Sequence, residues 1–143
     1  MFSKIVESPF WNSWGVLIGR LIVAGIFVMA ASFKFIGMEQ TAGYIAAAGI
    51  PFSLPLAWVA ALFESVLAFA FVTGAYFRQA AFVSIFYILF LGFAFHGPSH
   101  WAGNQSEFGF FVDHFTFAAG LIFMVAHGPG RAWQLRWGNT GRQ

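Results

Sequence analysis

The sequence predicts an all-α, membrane-embedded four-helix bundle with a short surface helix between the first two spans. Three observations support this fold class. The 143 residues are 59% hydrophobic and only 8% charged, whereas a soluble domain carries about 25% charged residues. Four apolar runs of about 20 residues are each long enough to cross a hydrocarbon core of about 30 Å as a helix. Turn-forming residues separate these runs.

The predicted spans form one domain over residues 1–143, and they cover residues 14–33, 55–74, 78–96 and 110–127. Residues 35–54 are too polar and too broken to span, but their apolar side chains recur at helical spacing, which predicts a short helix on the membrane surface. Gly49 followed by Pro51 indicates the end of that helix. The chain has no cysteine, which excludes disulfides and thiolate metal sites, and its net charge of +2 is too small to indicate nucleic acid as a partner.

Lysine and arginine residues are distributed unequally about the predicted spans. Four spans place both termini and the connection 75–78 on one side of the membrane. That side collects Lys4, Arg78, Arg131, Arg136 and Arg142, whereas the other side has only Lys34. The positive-inside rule therefore predicts a multi-pass protein with both termini in the cytoplasm. Beside the tail arginines, Trp133 and Trp137 indicate an interfacial anchor.

One carboxylate, Glu64, lies at the midpoint of the second span. A charge there costs a few kcal/mol unless a partner or a water-lined cavity relieves it. Arg20 is about 9 Å and Glu64 about 15 Å from the cytoplasmic face at 1.5 Å per residue, so we predict that they pair. The pair is either a structural ion pair or a site for a ligand or proton. In a third alternative, Arg20 extends to solvent and Glu64 is protonated.

A second polar cluster is predicted near the outer face. Lys34 and Asp113 come to similar depth and form a second candidate pair, and His96, His100 and His114 gather on the same side. Histidine and aspartate bind zinc, copper or iron, and two histidines on different helices can serve as axial haem ligands. The spacing matches no compact metal motif, however. We therefore predict no metal site, and His96 and His114 are the remaining candidates for one.

The order of several motifs resembles the DoxX family of small bacterial membrane proteins. The chain contains GRLIVAGIFVMAASFKF, then AGIP, then FESVLAFAFVTGAYFRQAA, a loop with His and Trp, and a closing GPG. The likeness runs from about Gly15 to Arg131. The residues that carry it are Arg20, Gly25, Lys34, Glu64, Gly74, Arg78 and Gly128-Pro129-Gly130. The resemblance implies a four-helix bundle in the bacterial inner membrane.

The family resemblance also implies a role in membrane redox work. Members are associated with a terminal quinol oxidase, with a thiosulfate-to-quinone oxidoreductase, or with the anchoring of antioxidant enzymes. We therefore expect an accessory or anchoring subunit of a quinone- or thiol-linked system, not catalytic on its own, that holds a quinone-like lipophile near Arg20 and Glu64. Quinone or lipid is the expected ligand. The expected partners are membrane lipids and either another subunit or a second copy of the chain, with no nucleic acid.

Two features depart from the family pattern, and two other functions stay open. Asp113-His114 stands where many relatives carry Lys-Asn, and the tail is basic where many relatives end with an acidic residue. The first alternative is an oxidoreductase subunit with a metal or haem at the outer histidines. The second is a small transporter or proton path that uses Glu64. The sequence argues against this alternative, because many transporters contain a pair of spans interrupted by Gly or Pro and this chain shows no such pair.

Overall fold

The computed structural model describes residues 2–135, and this part of the chain is built from helices without strands. The six α-helices are α1 (Phe2–Val6), α2 (Val16–Ile36), α3 (Met38–Ala47), α4 (Ser53–Thr73), α5 (Phe77–His96) and α6 (Gln105–His127). A π-helical turn, Trp11–Gly15, leads into α2, and a 3₁₀ turn, Pro98–His100, follows α5. Arg136, Trp137 and Arg142, which entered the predictions above, lie outside the described residues.

Four helical stretches are long and apolar enough to cross a membrane: Trp11–Ile36, Ser53–Thr73, Phe77–His100 and Gln105–His127. The predicted class, an all-α protein with four membrane-spanning helices, is confirmed. The largest shift of a boundary is at α6, which begins at Gln105 and not at residue 110. Its first turn is polar, and hydropathy marks only the apolar part of a helix, so the sequence placed the start too late.

Contacts within the chain divide it into two compact units. Among the described residues, the first unit contains residues 2–77 and 128–135, and the second contains residues 78–127. The first unit therefore includes α1 to α4, and the segment after α6 belongs to it as well. The second unit consists of α5, beyond its first residue, and α6. That the whole chain forms a single domain stays a prediction.

The core of the first unit lies between α2 and α4. The buried residues of α2 recur three or four apart and form one face of the helix; they are Leu17, Arg20, Ala24, Phe27 and Ala31. On α4, Ala57 and Ala61 are fully buried, and small residues let two membrane helices approach closely. The Phe27 ring stacks on that of Phe71, with ring centroids 5.6 Å apart. Since lipid gives membrane helices no hydrophobic force for association, such packing has to hold the pair together.

The predicted short helix after the first span is α3, which packs against α4. It ends in a Schellman motif, because the Ile50 N–H donates to the Ile45 carbonyl at 3.3 Å and the Gly49 N–H donates to the Ala46 carbonyl at 2.9 Å. Gly49 has a φ of 77°, a left-handed conformation that favours glycine. The stop that the sequence predicts at Gly49 and Pro51 is confirmed.

Arg20 joins three segments of the first unit at one end of the α2–α4 pair. Its side chain is 0% exposed. Nη1 donates to the Pro129 carbonyl at 3.0 Å, and Nη2 donates to the carbonyls of Trp133 at 2.5 Å and Val72 at 3.4 Å. Val72 lies in the last turn of α4, where carbonyls lack partners within the helix and where a cation complements the helix dipole. Arg20 thus ties α2 to the end of α4 and to the segment after α6.

The residue after α4 must be small for this arrangement to form. A Cβ atom on Gly74 would lie 2.8 Å from Nη1 of Arg20, and Gly74 has a φ of 75°. The Leu135 N–H also donates to the Thr73 carbonyl at 2.9 Å. Residues 128–135 therefore lie against the end of α4, and Arg20 is enclosed between them and α4.

The second unit repeats the use of an arginine at a helix end. Arg78, the second residue of α5, donates through Nη1 to the carbonyls of Val125 and Ala126, the latter at 2.9 Å. Both carbonyls lie in the last turn of α6. At the other end of the unit, Trp101 Nε1 donates to the His96 carbonyl at 2.8 Å. Side chains from within the unit thus donate hydrogen bonds to carbonyls in the last turns of both α5 and α6.

We expect Arg20→Met to lower the free energy of unfolding by about 3 kcal/mol, because hydrogen bonds to a charged group are worth about 1.5–3 kcal/mol and buried carbonyls would lose their donor. Methionine keeps the apolar length of the side chain. The measurement is the unfolding of the purified protein in detergent with increasing dodecyl sulfate. Arg131→Met is the matched control, because Arg131 is exposed and its replacement should change stability by less than about 0.5 kcal/mol. Equal effects of the two substitutions would contradict the role of Arg20.

Candidate functional site

The buried carboxylate of Glu64 forms an ion pair with Lys34 inside the first unit. Glu64 lies near the middle of α4, and Lys34 lies in the last turn of α2. Lys34 Nζ donates to Oε1 at 2.9 Å and lies 2.8 Å from Oε2. The Glu64 side chain is 2% exposed and that of Lys34 is 20% exposed. A carboxylate in the apolar interior is therefore neutralised by an ammonium group that stays partly accessible.

The predicted pairing of Arg20 with Glu64 is wrong. The guanidinium of Arg20 donates to backbone carbonyls, and the carboxylate of Glu64 is paired with Lys34. The sequence assigned Lys34 to Asp113, whereas Lys34 forms its ion pair with Glu64. Glu64 does pair with a cation on the first span, as expected, but this cation is Lys34 and not Arg20.

Side-chain direction explains the exchange of partners. A helical side chain leans toward the N-terminus of its own helix, and α2 and α4 run antiparallel. Arg20 therefore leans toward the start of α2, where α4 ends. Glu64 leans toward the start of α4, where α2 ends, and Lys34 leans back from that end toward the middle of the span. The side chains of Lys34 and Glu64 thus point toward each other, whereas those of Arg20 and Glu64 point apart.

The ammonium of Lys34 has capacity beyond this ion pair. It carries three N–H groups, and among the residues that the structure describes, Glu64 is the only one bonded to it. The next residue, Phe35, packs its ring edge-on against Trp58 of α4, with ring centroids 6.0 Å apart. The two aromatic residues are 44% and 47% exposed. An open aromatic surface therefore lies one residue from Lys34 along α2 and about 9 Å from Glu64 along α4.

The structure brings two of the three outer histidines together in the second unit. The ring centroids of His96 and His114 are 5.2 Å apart, with an angle of 39° between the rings. His96 Nδ1 lies 2.7 Å from Oε2 of Glu107, and His114 Nδ1 lies 2.7 Å from the Phe110 carbonyl. His100 is exposed in the 3₁₀ turn. Asp113 is also exposed, and among the described residues no group of three or more potential metal ligands forms.

Sequence reasoning missed Glu107 as a member of this cluster. It was assigned to the loop before the fourth span, but it lies in the first turn of α6. An acidic residue stabilises the start of a helix through the helix dipole, and this signal, together with the polar residues just before it, points to an earlier start of α6. The carbonyls of Pro129 and Trp133 that bind Arg20 were also missed, because a backbone acceptor carries no residue signature.

We expect the substitutions Lys34→Met and Glu64→Leu to be strongly coupled. Either change alone leaves a buried charge unpaired and should cost about 3–5 kcal/mol, whereas the double change should cost much less than the sum. The measurement is a double-mutant cycle of unfolding free energies in detergent.

The matched control is the cycle of Glu64→Leu with Arg20→Met. Arg20 donates to backbone carbonyls and Glu64 pairs with Lys34, so their effects should add within about 0.5 kcal/mol. Strong coupling in this second cycle together with additivity in the first would restore the pairing that the sequence predicted.

The comparisons with known proteins agree with the family that the motifs suggested. The model of the DoxX family matches residues 15–97. The "Inner membrane protein YphA" of Escherichia coli (strain K12) is 29% identical over 119 residues, which cover 80% of this chain and 84% of the relative. The "Inner membrane protein YqjF" of the same organism is 30% identical over 117 residues, which cover 81% of this chain and 85% of that relative. No solved structure matches.

These relatives and the four apolar helices identify a multi-pass protein of the inner membrane. The matched range includes both members of the buried ion pair, Lys34 and Glu64, as well as Arg20 and its neighbour Gly74. The chain belongs to the DoxX family.

Proposed function

We propose that this chain is an accessory subunit of a membrane redox system and that it holds the head group of a quinone-like lipophile at Lys34. The observation that carries the proposal is the ammonium of Lys34, which is anchored by a carboxylate that is 2% exposed and yet is itself 20% exposed. The redox setting rests on the resemblance described above. The site contributes the chemistry of ligand binding.

A quinone offers carbonyl oxygens that accept hydrogen bonds but carry no charge. The Lys34 ammonium supplies a charge-assisted donor, which is roughly twice as strong as a neutral one, and the low dielectric of the membrane interior strengthens it further. Glu64 holds the ammonium in place and neutralises it, so that no net charge is buried when the ligand leaves. This pair therefore suits a neutral acceptor better than an anion, which would add a second negative charge.

The surroundings of the ammonium suit a flat ring. Ligand sites are lined mostly by apolar and aromatic side chains with few polar groups, and Phe35 and Trp58 present such a surface one residue from Lys34 along α2. Trp58 precedes Glu64 by six residues, or about 9 Å along α4. Arg20 is assigned a structural role in this proposal, because its guanidinium already donates to one carbonyl at the end of α4 and to two carbonyls of the segment after α6. This chain binds and positions the ligand, and a partner complex carries out electron transfer.

We expect Lys34→Met to weaken quinone binding at least tenfold, because the charge-assisted hydrogen bond that it removes is worth about 1.5–3 kcal/mol and about 1.4 kcal/mol corresponds to a factor of ten. The measurement is the saturable quenching of tryptophan fluorescence by decylubiquinone, with the protein in lipid nanodiscs and empty nanodiscs subtracted. Lys34→Arg keeps a cationic donor and should retain more of the affinity than Lys34→Met.

The matched control for this experiment is Lys4→Met, which removes the only other lysine of the chain from an exposed position in α1. It should leave the affinity unchanged within a factor of two. Quenching that does not saturate, or that saturates equally in Lys34→Met and in Lys4→Met, would contradict a quinone site at Lys34.

We further propose that both termini lie in the cytoplasm, as the distribution of lysine and arginine indicates. The chain has no cysteine, so single cysteines can be introduced without background. In intact cells, a membrane-impermeant maleimide should label Ala102→Cys in the loop before α6, whereas Ser3→Cys in α1 should be labelled only after the membrane is opened. Both positions are exposed. The reverse pattern of labelling would invert the proposed topology.

A further inference from the structure

The two histidines of the second unit are held in one orientation by neighbours that use the same ring nitrogen. His114 Nδ1 lies 2.7 Å from the Phe110 carbonyl, and a carbonyl can only accept a hydrogen bond, so Nδ1 carries the proton. His96 Nδ1 lies 2.7 Å from the Glu107 carboxylate, which also accepts. In a neutral imidazole only one nitrogen is protonated. In the neutral form of each ring, Nε2 is therefore the nitrogen with a lone pair that can bind a metal ion.

A close helix contact sets the position of His114 relative to His96. A Cβ atom on Gly92 of α5 would lie only 2.9 Å from Cβ of His114, so the absence of a side chain lets α6 approach α5 directly at this level. His96 follows Gly92 by four residues, which places both on the same face of α5. The close approach of the two helices at Gly92 thus places His114 next to His96.

The spacing of the two rings matches a shared tetrahedral ion. A zinc–nitrogen bond of about 2.0–2.1 Å puts the centre of a bound imidazole about 3.2 Å from the ion, and two such rings at a tetrahedral angle have centres about 5.2 Å apart. The observed separation is 5.2 Å. Two rings on opposite sides of one iron, as in a haem with two axial histidines, would have centres about 6.4 Å apart with bonds of the same length. The geometry thus favours a single ion over a haem.

We propose that His96 and His114 bind one Zn²⁺ ion through their Nε2 atoms, with water or an external ligand in the other coordination positions. Glu107 then acts as the outer partner of His96, in the arrangement of carboxylate, histidine and metal that orients ligating histidines in many proteins. The site is separate from the proposed quinone site, which lies in the first unit. The sequence named His96 and His114 as candidate ligands but offered no compact metal motif, because the two histidines are eighteen residues apart and lie on different helices.

The test is calorimetric titration of the purified chain with Zn²⁺, using a protein without a polyhistidine tag, together with the visible absorption of added Co²⁺. The expected result is one ion per chain and the intense visible bands of tetrahedral Co²⁺. His96→Phe and His114→Phe should each weaken Zn²⁺ binding at least tenfold. Phenylalanine keeps a flat ring in an aromatic neighbourhood, where His96 already packs against Phe110 with ring centroids 5.3 Å apart.

A matched control exists at the other end of α6. His127 Nδ1 is held by the carbonyl four residues earlier, that of Phe123, at 2.9 Å, as His114 is held by that of Phe110. Its ring neighbour is a phenylalanine and not a second histidine. His127→Phe should therefore leave Zn²⁺ affinity unchanged within a factor of two.

Glu107→Ala distinguishes an outer-shell partner from a bystander, because loss of such a partner typically weakens metal affinity by about 10–100-fold while the ligands themselves remain. Each variant is checked for an unchanged elution volume in detergent, so that a loss of binding is not a loss of fold. Absence of Zn²⁺ binding to the unaltered chain, or equal loss of binding in His114→Phe and His127→Phe, would overturn the proposal.

Discussion

The absence of water in the hydrocarbon core is the constraint on which the first unit depends. Every charge and every unpaired carbonyl at that depth must find its partner within the protein. Two interactions meet this requirement for α2 and α4. Lys34 neutralises Glu64 near the middle of α4, and Arg20 supplies hydrogen bonds to one carbonyl at the end of α4 and to two carbonyls of the segment after α6. The antiparallel packing of the two helices, the small residues between them and the placement of the segment after α6 are all consistent with these two partnerships.

The sequence predicted the class of the protein and the need of Glu64 for a cation, because both follow from the cost of charge in an apolar medium. It misassigned the cation, because counting residues along a helix gives the depth of each Cα atom and ignores the lean of the side chain. Over a long side chain this lean displaces the charged group along the helix axis, away from the depth of its Cα atom. The partners of Arg20 were out of reach for a different reason. All three are backbone carbonyls, which any residue type could have supplied, and two of them belong to a segment more than 100 residues away.

Apart from Gly25, the residues that carry the family resemblance fall into three structural groups. Arg20, Gly74 and the Gly128-Pro129-Gly130 stretch meet at the end of α4, Lys34 and Glu64 form the buried pair, and Arg78 serves the end of α6. The glycine, the proline and the arginine of the first group are far apart in sequence but serve one contact. A motif that is spread along the chain thus serves a few local contacts: hydrogen bonds to backbone carbonyls, close approach of the chain to Arg20, and one buried ion pair.

Arg20 and Lys34 differ in whether their cations have room for a ligand. The guanidinium of Arg20 is 0% exposed and is enclosed by the end of α4 and the segment after α6, so a ligand at this site would have to push these segments apart. The ammonium of Lys34 is bonded to one carboxylate and is 20% exposed, so a neutral acceptor can be added without breaking the ion pair. Arg20, at the start of α2, thus has a structural role, whereas Lys34, at the end of α2, can also bind a ligand. This difference arises from how completely the protein encloses each cation, since Arg20 is 0% exposed and Lys34 is 20% exposed.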